Sequence, residues 1–281
     1  MLLWRTTCYT RAMQKRVTLT KKVGETPLSC MENWRERAGL AHDIPLTYAG
    51  RLDPLASGKL LVLVGDACKT KERYQALDKA YDFSILFGVE TDSGDPLGLA
   101  RAHPKSTVAD TTVAAALQQC QGVMTLPYPV FSAKPVKGKP LHTWAAEGRL
   151  DEITIPSNQT TIYKLSCSEC TLLSRDEVYA RVIDKIESIP PVTELRKALG
   201  NDFRRPDIRA QWKTWYEQTP ATQKYTLASC HVACSSGTYV RSLAAHIGDL
   251  CDSKALAFAI HRTTIGTYRT FGPIRYWWPS Y

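Results

Sequence analysis

Five consecutive aliphatic residues, 60–64 (LLVLV), constrain the fold of this chain more than any other feature. An uninterrupted apolar run of this length is typical of a β-strand that is buried on both faces. Such a strand needs a covering layer on each side, so the run predicts a sheet packed inside a large domain. The chain has 281 residues, enough for one large domain or two ordinary ones.

Strand and helix signals alternate irregularly around this run. Apolar residues alternate with other residues over 81–89, and the sequence of 225–234 is largely apolar. These two patterns predict two more strands. Helices are predicted to begin at Pro27, Thr112 and Val240, and the first should bury Leu28, Met31, Trp34 and Ala38. Residues 46–59 are predicted to form a loop. Because no regular βαβ repeat is present, we predict an α+β domain around a mixed central sheet.

Composition narrows the class of protein. The formal net charge is +9 and the sequence pI is about 9.1, which favours a polyanionic partner but does not separate RNA from DNA or an anionic membrane. No apolar run approaches the length of a membrane span, so we expect no membrane insertion. Nine thinly spread cysteines favour a reducing compartment. Cys167 and Cys170 have the spacing of half a zinc site, with Cys230 and Cys234 as a second pair, but packing thiols are the default interpretation.

The N-terminal segment is basic. The first 24 residues contain six basic residues and no acidic one, which suits either an organelle transit peptide or a frayed terminus. We therefore assign residues 1–17 to a basic tail and 18–281 to the folded domain. The expected location is the cytoplasm, with the mitochondrion as the alternative.

A proline-rich stretch, 190–224, interrupts the pattern and is interpreted as an insertion. It interleaves basic residues with aromatic ones. The basic members are Arg196, Lys197, Arg204, Arg205, Arg209 and Lys213, and the aromatic ones are Trp212, Trp215 and Tyr216. Cations that meet phosphates and rings that stack on splayed bases would suit RNA. A solvated helix whose aromatic residues pack on the domain is an equal alternative.

The loop 48–58 presents one carboxylate, Asp53, beside the buried run. Pro54 biases the backbone of Asp53 away from helix, and Gly50 and Gly58 permit tight turns. On physical grounds alone, a single loop aspartate is more often a turn former or a cap than a catalyst.

Four other segments, together with this loop, resemble the TruB family of pseudouridine synthases. Residues 46–58 (LTYAGRLDPLASG) resemble the signature G-H-T-G-x-L-D-P-x-A-x-G. The others, in the family's order, are 21–26 (KKVGET), 78–81 (DKAY), 131–145 (FSAKPVKGKPLHTWA) and 234–243 (CSSGTYVRSL). The resemblance spans roughly residues 18 to 270, so it is far more specific than a single motif.

The resemblance implies the pseudouridine synthase fold and isomerisation of a uridine, conventionally position 55 in the T arm of tRNA. It implies Asp53 as catalytic nucleophile, Arg241 as its partner, and Tyr81 as a residue that stacks on the flipped uracil and is a candidate for proton transfer. The implied substrate-binding residues are Lys21, Tyr48, Arg51, Lys79, Ser132, Gly237, Thr238 and Arg262. An isomerisation needs no metal or organic cofactor, so none is expected. RNA is the expected partner and a monomer the expected state.

The chain departs from the family pattern at several positions. The family histidine five residues before the aspartate is Tyr48, and other motif residues are replaced at Lys22, Pro135 and Ala146. Only thirteen residues follow Tyr268, so the C-terminal RNA-binding domain of many relatives is not expected. Two alternatives remain: a catalytically idle RNA-binding or assembly factor, and a related synthase acting on mitochondrial or ribosomal RNA. The set Asp53, Tyr81 and Arg241 argues against the idle factor, because binding alone has no need of it.

Overall fold

The computed structural model describes residues 15–191, 202–271 and 274–278. Its strands are β1 (Arg16–Lys21), β2 (Leu46–Ala49), β3 (Ala56–Val64), β4 (Asp78–Phe87), β5 (Val89–Thr91), β6 (Ala100–Ala102), β7 (Gly122–Pro127), β8 (Pro135–Val136), β9 (Lys139–Pro140), β10 (Ser157–Ser174), β11 (Lys224–Cys234), β12 (Ala255–Phe271) and β13 (Ile274–Trp278). Its helices are α1 (Pro27–Arg37), α2 (Lys71–Gln75), α3 (Asp110–Gln119), α4 (Leu141–Ala146), α5 (Arg175–Glu187), α6 (Arg205–Gln218) and α7 (Val240–Leu250).

Within the described ranges, nine of the strands form one sheet. Its order is β1-β3-β12-β4-β11-β10-β7, with β2 paired to β3 and β13 paired to β12. The pairing of β3 with β12 is parallel, and the other pairings in the sheet are antiparallel. A mixed sheet flanked by helices confirms the predicted α+β class.

The apolar run 60–64 is buried on both faces, as predicted. Alternate side chains of β3 point to opposite sides of the sheet. Leu60 and Val62 pack with Met31 of α1, whereas Leu61 and Leu63 pack with the aromatic ring of α2 and its neighbours. The run is therefore part of an internal strand. It gives a fixed position to the chain at both ends of that strand, including the loop that precedes β3.

The rest of the sheet is covered by helices on both faces. Alternate residues of β4 and β11 pack with α3 and α7 on one face, and the remaining ones pack with α5 and α6 on the other. Residues Val178, Val182 and Ile186 of α5 show no exposure, which agrees with their spacing of four residues along one helix face. Burial of such stripes is the main stabilising contribution in a domain of this kind.

Two local predictions needed correction. Helix α1 begins as predicted, with Thr26 as a capping-box residue, but Leu28 and Ala38 are exposed while Cys30 and Arg35 are buried. The predicted loop 46–59 is shorter, because its two ends belong to β2 and to the start of β3. Strand β2 pairs with residues 61–64 of β3, and residues 56–58 pair with β12, so the backbone groups at both ends are satisfied. The chain between the two strands, 50–55, is the connection that remains.

The segment 190–224 packs on the domain in its described part. Trp212 and Trp215 of α6 are 0% and 3% exposed, and Tyr216 stacks on Tyr179 of α5 with ring centroids 4.5 Å apart. These rings are not available to stack on bases, so the packing alternative is correct for them. Residues 192–201, which include Arg196 and Lys197, lie outside the described residues.

The N-terminal prediction falls mostly outside the described residues, which begin at residue 15. Strand β1 begins at Arg16, two residues before the predicted boundary, and pairs with β3. Among the described residues there is no helix long and apolar enough to cross a membrane. The same residues contain no group of three or more His, Cys, Asp or Glu side chains arranged to hold a metal ion. The compartment stays a prediction.

Candidate active site

The connection between β2 and β3 carries Asp53 at one end of the buried run. The backbone carbonyl of Asp53 accepts a hydrogen bond from Ala56 N at 3.0 Å, which closes a turn around Pro54. Gly58 has φ +106°, and a Cβ there would lie 2.3 Å from the Arg262 carbonyl oxygen. Only glycine lets β3 approach β12 this closely, so the turn and the glycine together fix where Asp53 leaves the sheet.

Two buried cations hold this connection from both sides. Lys21 Nζ donates to the carbonyl oxygens of Pro54 at 3.3 Å and Ala56 at 2.6 Å, and burial lowers its pKa to about 8. Arg262 donates to the carbonyl oxygens of Gly50 at 3.3 Å and Arg51 at 3.2 Å. The carbonyl groups of this connection, which would otherwise lack hydrogen-bond donors, are thereby satisfied. The two side chains thereby tie the loop to β1 and β12.

Arg241, in the first turn of α7, is the direct partner of Asp53. Its Nε lies 2.8 Å from Asp53 Oδ2, as an ion pair whose N–H does not point along the hydrogen-bond line. Its Nη1 donates to the Ser93 carbonyl at 2.7 Å and its Nη2 to the Phe131 carbonyl at 3.1 Å. The guanidinium is 4% exposed, while the Asp53 side chain is 38% exposed. A buried cation therefore fixes a carboxylate that can still be reached from solvent.

A second carboxylate, Asp95, shares this cation and was missed by the sequence analysis. Arg241 Nε lies 3.9 Å from Asp95 Oδ2, and Asp95 Oδ1 accepts from Ser93 Oγ at 2.7 Å and from Leu97 N at 2.9 Å. Burial raises the pKa of Asp95, and Arg241 opposes that effect. Asp95-Pro96 repeats the dipeptide Asp53-Pro54 in another turn-rich stretch, which is the signal that could have found it.

Tyr81 lies behind these charges in β4. It is 8% exposed, and burial raises the pKa of its phenol to about 12, with Arg262 and Asp53 both near enough to act on it. The phenol is therefore neutral at ordinary pH.

A cavity of about 570 Å³ opens over Asp53. Asp53, Asp95 and Arg241 lie in its wall, together with Phe131. The described wall extends to residues 189–191 and to 204, 205 and 208 before and within α6. Its size suits a small organic group, and the charged residues Asp53, Asp95 and Arg241 meet in one part of its wall.

The family model described as "TruB family pseudouridylate synthase (N terminal domain)" matches residues 44–185, half of the chain. This chain belongs to the TruB family. The matched part carries Asp53, Tyr81 and Asp95, while Arg241 lies beyond it.

Curated relatives agree with that membership, and a solved structure shares the fold. A tRNA pseudouridine synthase B of Caldicellulosiruptor saccharolyticus is 29% identical over 177 residues, 58% of this chain and 59% of the relative. One of Aromatoleum aromaticum is 28% identical over 221 residues, 79% of this chain and 54% of the relative. The chain thus spans little more than half the length of these relatives. A chain in the crystal structure of a Cbf5-Nop10-Gar1 complex superposes with a TM-score of 0.51 at 15% identity, covering 89% of this chain and 48% of that one, and supports the fold.

Three of the predicted substrate-binding residues are buried cations that donate to backbone carbonyls. Lys21 and Arg262 hold the Asp53 loop, and Lys79 Nζ donates to the carbonyls of Gln75 and Leu77. Burial lowers the pKa of Lys79 to about 8. A sequence motif reveals a cation but not whether it turns outward to phosphate or inward to backbone carbonyls. A substrate contact by each of these three residues stays a prediction.

The other predicted contacts differ in how accessible they are. Arg51 is exposed and Tyr48 is half-buried, whereas Ser132 is buried with its Oγ unpartnered among the described residues. Gly237 has φ +82° and would place a Cβ 2.7 Å from Asn158 Nδ2, so it serves the turn before α7. Thr238 Oγ1 donates to the Ser235 carbonyl at 2.9 Å in the same turn. Arg51 and Tyr48 stay predicted RNA contacts, and Gly237 and Thr238 position Arg241.

We expect Lys21→Met to destabilise the fold by on the order of 3 kcal/mol, because several buried carbonyls lose their donor. The free energy of unfolding, measured with urea, checks this. Lys59→Met is the matched control, since Lys59 is exposed on the adjoining strand β3. Equal stability of the two variants would contradict a structural role for Lys21.

Proposed function

We propose that this protein isomerises uridine to pseudouridine in RNA, with Asp53 as the nucleophile. The observation that carries the proposal is the pair formed by the accessible carboxylate of Asp53 and the buried guanidinium of Arg241, 2.8 Å apart at the wall of the cavity. Membership of the TruB family supports the same chemistry.

The reaction breaks the bond between the ribose and N1 of uracil, turns the base, and joins the same ribose carbon to C5. The proton on C5 leaves and N1 gains a proton, so atoms and electrons balance without an oxidant. A carboxylate is suited to capture the electrophilic centre that forms when such a bond breaks. Arg241 holds Asp53 in place and aims its oxygens, because its guanidinium is itself fixed by the Ser93 and Phe131 carbonyls. The cavity of about 570 Å³ over Asp53 is large enough for one flipped base.

Asp95 contributes by fixing Arg241. With one cation between two carboxylates, Arg241 cannot swing away from Asp53 without leaving the buried Asp95 charge unpaired, which is costly. The buried position of Asp95 indicates a positioning role, since Asp53 is the better exposed of the two.

The T arm of tRNA is the substrate that we propose, because the relatives that match most of this chain are named tRNA pseudouridine synthases. The net charge of +9 suits such a polyanion. Mitochondrial or ribosomal RNA is the alternative substrate. We propose that the protein acts as a monomer. The idle-factor alternative is disfavoured, because a protein that only binds RNA needs no cation buried against an accessible aspartate.

Asp53→Asn should abolish tritium release from 5-tritiated uridine in RNA and leave RNA affinity nearly unchanged, because the amide keeps the shape and loses the nucleophile. Asp66→Asn is the matched control, since the Asp66 side chain is 90% exposed and pairs only with Lys69 among the described residues. Measurable turnover by the Asp53 variant would refute the assignment.

Tyr81→Phe separates two roles for the ring in β4. If the phenol oxygen takes the proton from carbon, this variant should bind RNA and attack the uridine but lose a hundredfold or more in rate, on the order that general-base groups contribute. If Tyr81→Phe retains activity within a few-fold and Tyr81→Leu does not, the ring acts by packing or stacking only. Near-normal rates for both variants would remove Tyr81 from the site.

A further inference from the structure

Arg204 lies at the end of the cavity wall contributed by the segment before α6. Its backbone has φ +62°, in the left-handed region that residues other than glycine and asparagine rarely adopt. A strained residue persists where its surroundings over-determine it, and such residues cluster at functional sites. Its side-chain contacts show what those surroundings are.

The guanidinium of Arg204 joins α6 to two separate loops. Nη1 donates to Asp92 Oδ2 at 2.7 Å, and Nη2 lies 3.5 Å from Asp92 Oδ1. Its central carbon lies 4.2 Å from the centroid of the Phe131 ring, which is cation–π distance. The side chain is 25% exposed, so these contacts are partly shielded from solvent.

The same two loops hold Arg241. Ser93, next to Asp92, offers its carbonyl to Arg241 Nη1, and Phe131 offers its carbonyl to Nη2. Arg204 therefore binds the side chains of the loops whose backbone carbonyls bind the partner of Asp53. A displacement of either loop would turn the Arg241 guanidinium.

Helix α6 strengthens one of these loops at two further points. Trp212 Nε1 donates to the Pro96 carbonyl at 3.0 Å, and Gln211 Nε2 donates to the Ala100 carbonyl at 3.1 Å. Asp92 Oδ1 also accepts from Leu99 N at 2.8 Å, which closes the loop on itself. The loop that carries Ser93 and Asp95 is thus packed against α6 along its length.

We propose that Arg204 is a positioning residue for catalysis, which acts on Asp53 through Asp92, Phe131 and Arg241. This inference rests on the proposed function. The 190–224 segment then supports catalysis by positioning groups of the site. The composition had suggested instead that this segment stacks on RNA bases. Arg204 holds in place the two loops that hold the Arg241 guanidinium beside Asp53.

Arg204→Met tests the proposal, because it keeps a long side chain against the Phe131 ring and removes the pair with Asp92. We expect kcat for tritium release to fall on the order of tenfold or more, since small misplacements of catalytic groups have effects of this size. KM and the RNA dissociation constant should change by less than about twofold, as expected when a contact serves only the transition state. Arg204→Lys should recover part of kcat, because it restores the charge without the two-pronged geometry.

Two companion variants make the result specific. Arg149→Met makes the same substitution at an exposed arginine, whose Nε lies 2.6 Å from Glu152 Oε1, and should leave kcat unchanged. Asp92→Asn should reproduce the loss seen with Arg204→Met, and the double variant should be no worse than either, because both remove one interaction. Additive losses would contradict the proposal.

Other outcomes overturn the proposal separately from the function. A raised KM with unchanged kcat would make Arg204 an RNA contact, and an unchanged kcat and KM would reduce it to a helix-end residue. If the unaltered protein releases no tritium from any RNA, the proposed function fails instead. Hydrogen exchange of the amides in 91–100 then decides on positioning: exchange should be faster in Arg204→Met than in Arg149→Met, and equal exchange would refute the inference.

Discussion

The burial of one guanidinium, that of Arg241, is the constraint on which the site depends. A cation out of water must be surrounded by acceptors, and Arg241 finds them in two carboxylates and two backbone carbonyls from separate parts of the chain. Each acceptor is therefore held at a defined position. Because only Asp53 among them is accessible, satisfying the buried charge also places a reactive oxygen at the cavity wall.

The sheet explains why these parts of the chain can meet. The buried run 60–64 of β3 fixes the end of the Asp53 loop, and β11 leads through a glycine turn into α7 with Arg241 in its first turn. Lys21 and Arg262 satisfy the loop carbonyls, while α6 holds the loop that carries Asp95. The packed interior and the site around Asp53 thus belong to one hydrogen-bonded network. Few residues of this network can be replaced without affecting the others.

The sequence predicts elements whose signals are local and misses partners whose positions depend on tertiary contacts. The run 60–64 and the step from strand 225–234 into the helix at Val240 were predicted correctly, because apolar periodicity and turn residues act over a few neighbours. The inward direction of Lys21, the burial of Trp212 and the pairing of Asp95 with Arg241 depend on residues far away in the chain. The family motifs indicated Asp53 and Arg241 but carried no information about α6.

A map of pseudouridines in the RNA of cells with and without this protein is the decisive experiment. Specific uridines, foremost in the T arm of tRNA, should lose the modification when the protein is absent. The unaltered chain should restore them, and a chain lacking only the Asp53 carboxylate should not. Identical maps in the presence and absence of the protein would contradict the claim that this site isomerises uridine.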